Sequence, residues 1–294
     1  MTLEQLRIFV AVAEREHLTQ GAAAVNLSPS AASTAIRQLE DRYNTPLFNR
    51  VGRRVELTES GRRFLTEARR VLASAAAAEL ALSETGELPQ GTLRLAASQT
   101  VAAYWLPPLL LRFHAQHPAV ELPLEIGNTE TVSQAVLDGA ADLGFIEGEI
   151  DEPALAMRLV ATDRLLVLVA PGHAWTKAAP DAAQFAEGPW ILRERGSGTR
   201  SAFEASIMAD GIDPATLRVA LTMPSNEAIL TAIASGGYAG VASERVAAAA
   251  LAAQRLASVD FELRPRPFRM LWHRERYRTR AAQAFDMLLP RQLR

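Results

Sequence analysis

The sequence predicts a small α-helical head of the winged helix-turn-helix kind, a long helix, and an α/β body in two lobes. Three stretches carry this. Residues 18–43, LTQGAAAVNLSPSAASTAIRQLEDRY, read as two helices joined by a tight turn. Residues 59–83 hold one unbroken apolar stripe at helical spacing. From Thr92 onward, short apolar runs alternate with helical segments to the end of the chain.

Thr2 to Arg15 opens the head as an amphipathic helix, capped by Thr2, with Leu3, Leu6, Phe9, Val10 and Ala13 on one face. Thr19 is placed to cap the second helix, whose inward residues are Ala22, Ala23 and Val25. Ser28 caps the third, with Pro29 at its first position, where a missing N–H costs nothing. That helix turns Ala32, Ile36 and Leu39 inward. Ser30, Ser33, Thr34, Arg37 and Gln38 are left outward. A short polar face with an arginine suits the major groove of DNA, where hydroxyls and guanidinium groups meet base edges and phosphates. An ordinary helical hairpin is the plain alternative. Residues 47–58, LFNRVGRRVELT, then read as a hairpin turning at Gly52, with Arg50, Arg53 and Arg54 near its tip. Beside such a helix a basic hairpin is a wing for phosphate or minor-groove contact.

Thr58 caps the long helix, which runs to about Ser83 and spans about 37 Å. Phe64, Ala68, Val71, Ala75, Ala78 and Leu82 step along it by four and three. One small domain cannot bury that seam, so a second copy is the expected partner. Thr85, Gly86 and Pro89 end the helix, and Gly86 to Gly91 form a linker. The expected division is 1–58 for the head, 59–90 for the dimerisation helix and hinge, and 91–294 for the body. The body's first lobe takes about 91–160 and 265–294, and its second about 161–264. Its strands are expected at Leu93–Ala97, Val120–Ile126, Asp142–Ile146, Leu165–Ala170, Trp190–Arg193, Leu217–Met223, Ala239–Ala242 and Phe268–His273, in mostly parallel sheets. One helix is expected over Val101–His117.

Net charge is −2, but residues 1–70 carry +3 and the remainder −5. A basic front on an acidic body suits nucleic-acid contact at one end. Lys177 is the sole lysine, and there is no cysteine. The chain therefore has no disulfide staple or thiolate metal site, in keeping with a reducing compartment. No signal peptide is apparent, and the longest uncharged run, Leu95 to Leu111, is interrupted by Ser98, Gln99, Thr100, Pro107 and Pro108. A cytoplasmic protein with no membrane partner is expected.

Small polar residues follow several strands where helices open. They are Ser98, Gln99 and Thr100; Asn128 and Thr129; Ser197, Gly198 and Thr199; and Ser225 and Asn226. Ligands of open α/β folds sit beyond the carboxyl ends of strands, and hydroxyls beside free helix N-terminal amides suit an anion. A small oxyanion or organic acid between the lobes is the expected ligand. Each group also serves as an ordinary helix cap.

The motifs EQLRIFVAVAE, LTQGAAAVNLSPSAASTAIRQLED and PLFNR…RVELTESG, in this order, resemble the LysR-type transcriptional regulators. That resemblance implies a winged helix-turn-helix, a linker-helix dimer that commonly becomes a tetramer, and an effector-binding domain shaped like a periplasmic binding protein. Promoter DNA and RNA polymerase are the expected macromolecular partners. Pro29 and Thr34 stand where the family often has longer polar side chains, so base preferences do not carry over. FIEG (Phe145–Gly148), RERGSGTR and SNEAI look like the subgroup governing sulphur assimilation or carbon fixation, and Gly148 joins the expected effector site.

An enzyme is disfavoured: GxSxG, P-loop and HExxH motifs are absent. His114 and His117 supply two metal ligands at most. Glu147, Glu149, Asp151 and Glu152 read as a solvated acidic loop. A transport-type solute-binding protein fits the body but not the helical front. No cofactor is expected beyond a small-molecule co-inducer.

Overall fold

The structure, a computed structural model, describes residues 1–52, 54–83 and 88–290, without the side chains of Arg50, Leu80 and Ser83. The expectations for Arg53, for the Arg50 side chain and for linker residues Thr85 and Gly86 lie outside the described residues. The chain divides into two compact units. One contains Met1–Thr85, and the other Gly86–Val136 and Ala141–Arg294.

In the first unit α1 (Leu3–Arg15) opens on a capping box, Thr2 and Gln5 each accepting the other's backbone N–H at 3.1 Å. The cap of α2 (Leu18–Ala24) is His17, whose Nδ1 accepts from the Gln20 N–H, and not Thr19. Glu16 takes a left-handed φ of 47°, so the chain turns before His17 and the helix starts early enough to include Thr19. Gly21 and Ala22 form its buried face, and Ala23 is exposed. Glycine is required at position 21 because a Cβ there would lie 2.5 Å from Val12 Cα. Helix α3 (Pro29–Tyr43) begins as expected, with Ser28 Oγ accepting from the Ala31 N–H at 3.2 Å. Ala32, Ile36 and Leu39 are buried beneath it.

Strands β1 (Phe48–Val51) and β2 (Arg54–Leu57) pair antiparallel, Val51 opposite Arg54. Gly52 takes φ +61° in the turn, as a two-residue hairpin demands. Thr58 Oγ1 accepts from the Gly61 N–H at 2.9 Å and starts α4 (Glu59–Ser83), 25 residues long. The head's core joins Leu6, Phe9, Leu39, Leu47 and Ala68, with the Phe9 and Phe64 rings 4.9 Å apart.

The second unit holds, in order, β3 (Gly91–Thr92), β4 (Leu95–Ser98), α5 (Gln99–Tyr104), α6 (Pro107–Gln116), β5 (Val120–Glu121), β6 (Leu124–Gly127), α7 (Thr129–Asp138), β7 (Leu143–Ile146) and β8 (Leu155–Asp163). There follow β9 (Leu165–Val169), α8 (Ala182–Glu187), β10 (Trp190–Arg193), α9 (Gly198–Ala209), β11 (Val219–Met223), α10 (Asn226–Ala234), β12 (Ala239–Ser243) and α11 (Glu244–Ala252). Strand β13 (Ala257–Ser258), β14 (Arg266–His273) and α12 (Arg280–Leu288) complete it. Two five-stranded sheets result, ordered β6-β4-β7-β14-β8 and β11-β10-β12-β9-β13. Each has its own apolar core, one around Phe113, Phe145, Phe268 and Phe285, the other around Trp190, Phe185 and Phe203.

Three expectations change here. The sheets are mixed, because β14 runs antiparallel to β7 and β8, and β9 antiparallel to β12 and β13. The helix expected over Val101–His117 is two, since Pro107 cannot donate a backbone hydrogen bond and starts a new helix. The strand expected over Val120–Ile126 is likewise split at Leu122–Pro123. The chain leaves the first sheet after Asp163 and re-enters it at Arg266, and these two residues are partners in the β8–β14 register.

Candidate functional site

On the head, α3 presents Ser28, Pro29, Ser30, Thr34, Arg37 and Gln38 exposed, with Ser33 half-buried. Thr19 is exposed on α2. A groove of about 460 Å³ runs between α3 and the wing, lined among others by Pro29, Ser30, Ser33, Arg37, Gly52 and Arg54. Among the described residues, Arg37 and Arg54 have no acidic partner, so both guanidinium groups are available to phosphates or base edges. Glu40 was not expected as a functional residue. Its Oε1 accepts from the N–H groups of Leu47 at 2.7 Å and Phe48 at 3.1 Å, which ties the start of the wing to α3. Along α4, Phe64 and Ala68 pack in the head's own core, and Ala75 is half-buried. Val71 is 43% and Leu82 84% exposed, and Ala78 is exposed.

In the body the polar residues that open helices come together from both lobes. Gln99 Nε2 donates to the Pro224 carbonyl at 2.7 Å, and its Oε1 accepts from the Asn226 N–H at 3.1 Å. Asn226 Nδ2 donates to Thr100 Oγ1 at 3.2 Å, and Asn128 Nδ2 to Glu194 Oε1 at 3.2 Å. Ser225 keeps a capping role, its Oγ accepting from the Ala228 N–H at 3.0 Å. Ser197 stands at the N-cap of α9 without capping it, and its buried Oγ has no hydrogen-bond partner among the described residues. The same holds for Thr129 Oγ1 on the other lobe. Thr129 Oγ1, Gly148 N and Glu147 Cγ lie 2.5, 2.7 and 2.9 Å from the point a Cβ on Gly198 would occupy. A hydroxyl, a backbone nitrogen and the side-chain stem of Glu147 therefore converge on the first residue of α9.

Two buried arginines hold this arrangement. Arg266, 2% exposed, donates through Nε to Asp163 Oδ2 at 2.9 Å, through Nη1 to Thr199 Oγ1 at 2.9 Å, and through Nη2 to Thr100 Oγ1 at 3.4 Å. One guanidinium at the chain crossing thus grips the start of a helix in each lobe. Arg193 donates to Asn226 Oδ1 at 2.7 Å and pairs with Glu194 at 2.8 Å. Arg195 is exposed, and Arg200 pairs with Glu204 at 2.7 Å.

Glu147 corrects the reading of a solvated acidic loop. It is 2% exposed, accepts a hydrogen bond from Ser98 Oγ, and lies 3.6 Å from Arg266. It directly follows the buried strand β7, so the acidic run starts inside the protein. Arg193, Glu194, Asp163 and Arg266 were also missed. Most of their partners lie tens of residues away, beyond the reach of spacing arguments.

Burial pushes the Glu147 carboxyl above the usual carboxylate range, against the opposing pull of Arg266 and Arg193. Burial would also raise Glu194, but the hydrogen bonds and charge of Arg193, a backbone hydrogen bond and the Asn128 amide together outweigh it and hold that carboxyl low. A carboxyl raised by folding gives stability that is present below its unfolded value and is lost as pH rises through its folded value. Melting temperatures of the chain and of Glu147→Gln, taken from about pH 5 to about pH 8, should diverge, the unmodified chain losing more on the way up. Parallel curves would contradict the assignment.

A helix-turn-helix with a wing, joined in one chain to a two-lobed α/β unit whose polar helix starts meet between the lobes, defines a DNA-binding regulator with an effector-binding domain. Residues 3–62 match the bacterial regulatory helix-turn-helix protein, lysR family, and residues 86–293 match the LysR substrate binding domain. The chain belongs to the LysR family of transcriptional regulators. It is 34% identical over 288 residues to the uncharacterized HTH-type transcriptional regulator YeiE of Escherichia coli K12, covering 97% of this chain and 96% of that one. It is 32% identical to the RuBisCO operon transcriptional regulator of Allochromatium vinosum, covering 97% and 94%. Among solved structures, full-length CbnR complexed with its target DNA shares the fold at TM-score 0.67 and 22% identity, over 98% of this chain and 99% of that one. The Synechocystis PCC6803 CcmR regulatory domain in complex with 2-PG matches at TM-score 0.60 and 28% identity, over 68% and 96%.

Proposed function

We propose that this regulator binds promoter DNA as a homodimer or homotetramer and responds to a small anionic metabolite held between the lobes of its effector-binding domain. Residues 1–58 grip DNA through Thr19, Ser28, Pro29, Ser30, Ser33, Thr34, Arg37, Gln38 and the wing arginines. The α4 helix pairs two copies through the exposed part of its apolar seam, within a hinge segment of 59–90. The body, 91–294, binds the effector with Ser98, Gln99, Thr100, Asn128, Thr129, Gly148, Ser197, Gly198, Thr199, Ser225 and Asn226.

The observation that carries the effector reading is the pair of buried hydroxyls, Ser197 Oγ and Thr129 Oγ1, which have no hydrogen-bond partner among the described residues, at the start of α9. CbnR, whose structure was solved with target DNA, and CcmR, whose domain was solved with 2-PG, support the two halves of the proposal. The ligand favours one lobe arrangement, which resets the spacing of the paired recognition helices and the contact with RNA polymerase in the cytoplasm.

A gel-shift series against the regulator's own upstream region tests the DNA half. Each phosphate contact released by salt contributes about −0.9 to the slope of log K against log salt. A steep slope and preference over unrelated DNA are expected. Equal weak binding to every fragment, or none at low salt, overturns it.

A further inference from the structure

The carboxyl of Glu147 is buried where the two lobes meet, and the other buried charges there are already matched. Arg266 is matched by Asp163, with Nη2 at 2.8 Å, and Arg193 by Glu194. Asp163 also faces the half-exposed Arg245 at 3.5 Å, and Arg269 turns to the exposed Glu149. Toward Glu147 itself the strands and helices present Arg266 from β14, Arg193 from β10, Asp163 from β8, Ser98 at the start of α5 and Gly198 of α9. Its own share is one oxygen 3.6 Å from a guanidinium committed elsewhere, one serine hydroxyl and a backbone hydrogen bond. An anion at the start of α9 would therefore meet a second negative charge among buried groups. Two such charges do not both stay ionised: one proton is held between them.

We propose that the ligand of this cleft is an oxyanion that still carries a proton at neutral pH, and that the Glu147 carboxylate accepts the hydrogen bond from that proton. The ligand's remaining oxygens take the Ser197 and Thr129 hydroxyls and the amides opening α9. This rests on the anion reading above. Glu147 then acts as a specificity-determining residue: an anion without a proton leaves it facing a like charge. Sites built around a buried polar group reject analogues that lack its hydrogen-bond partner by large factors.

Calorimetry on the full chain with two shape-matched pairs tests this, orthophosphate against sulfate and hydrogencarbonate against nitrate. The proton-bearing member of at least one pair should bind roughly 100-fold tighter at about pH 7.5. In Glu147→Gln, whose amide donates, that preference should collapse to within a few-fold. Ser197→Ala should weaken both members alike. A readout independent of any variant is the pH dependence: sulfate affinity should rise about tenfold per unit as pH falls, the mark of one proton taken up, and orthophosphate affinity should not. Equal binding within each pair, or a preference that survives Glu147→Gln intact, overturns the proton assignment and leaves the anion reading standing. Binding of none of the four, by any variant, overturns the small-oxyanion form of the anion reading, on which this proposal rests.

Discussion

Arg37→Ala is expected to weaken operator binding by roughly 10- to 100-fold while leaving the dimer intact, because one well-placed guanidinium is worth about 1–3 kcal/mol of base discrimination. The residue lies on the exposed face of α3 and, among the described residues, has no acidic partner within the fold. Its loss therefore removes nothing that holds the head together, and the melting temperature should barely move. Affinity is read by gel shift at fixed salt, and assembly by sedimentation. The salt slope tells the two kinds of contact apart. A base contact relaxes specificity with the slope unchanged, and a phosphate contact lowers the slope by about one unit. Loss of the dimer would place this face in the subunit interface instead.

Arg266→Ala should be the most damaging single change in the body. It strips a buried guanidinium from Asp163 and Glu147, which are themselves almost fully buried, and from the hydroxyls of Thr100 and Thr199. Breaking one side of a buried ion pair costs about 3–5 kcal/mol, because the remaining charge is left without compensation. For a unit of this size that lowers the melting temperature by roughly 10 °C. Arg164→Ala is the matched control. Its pair with Glu244 spans 3.7 Å at the surface, both side chains being more than half exposed, and its loss should shift melting very little. Equal shifts for the two variants would show that the interlobe guanidinium carries no special share of stability.

The head was legible because its signals are local. Ser28 followed by Pro29, the glycine of the wing turn and Thr58 ahead of Glu59 each announce a boundary within a few residues. Strand β10 was read to the residue from its apolar run, Trp190–Arg193. Strand β8 was missed because its residues alternate buried and partly exposed positions with Arg158 and Thr162 among them, which reads as a loop. The small polar residues that open helices in the body were legible as a set, since each follows a strand. Glu147 and Arg266 were not, because they stand far apart in the chain and only the pairing of β7 with β14 brings them together. Thr19 misled for a different reason: a left-handed residue at Glu16 moved the helix start, and a histidine took the cap.

The contact between Gly148 and Gly198 has a genetic consequence. A methyl group on Gly148 would lie 3.2 Å from Gly198 Cα and 2.8 Å from Thr129, and one on Gly198 would lie 2.7 Å from the Gly148 nitrogen. Either would act as a wedge, prising the lobes apart with no metabolite present. Every glycine codon reaches alanine or valine through a single base change, so selection for strains whose reporter no longer heeds the growth medium has a short route to these two positions.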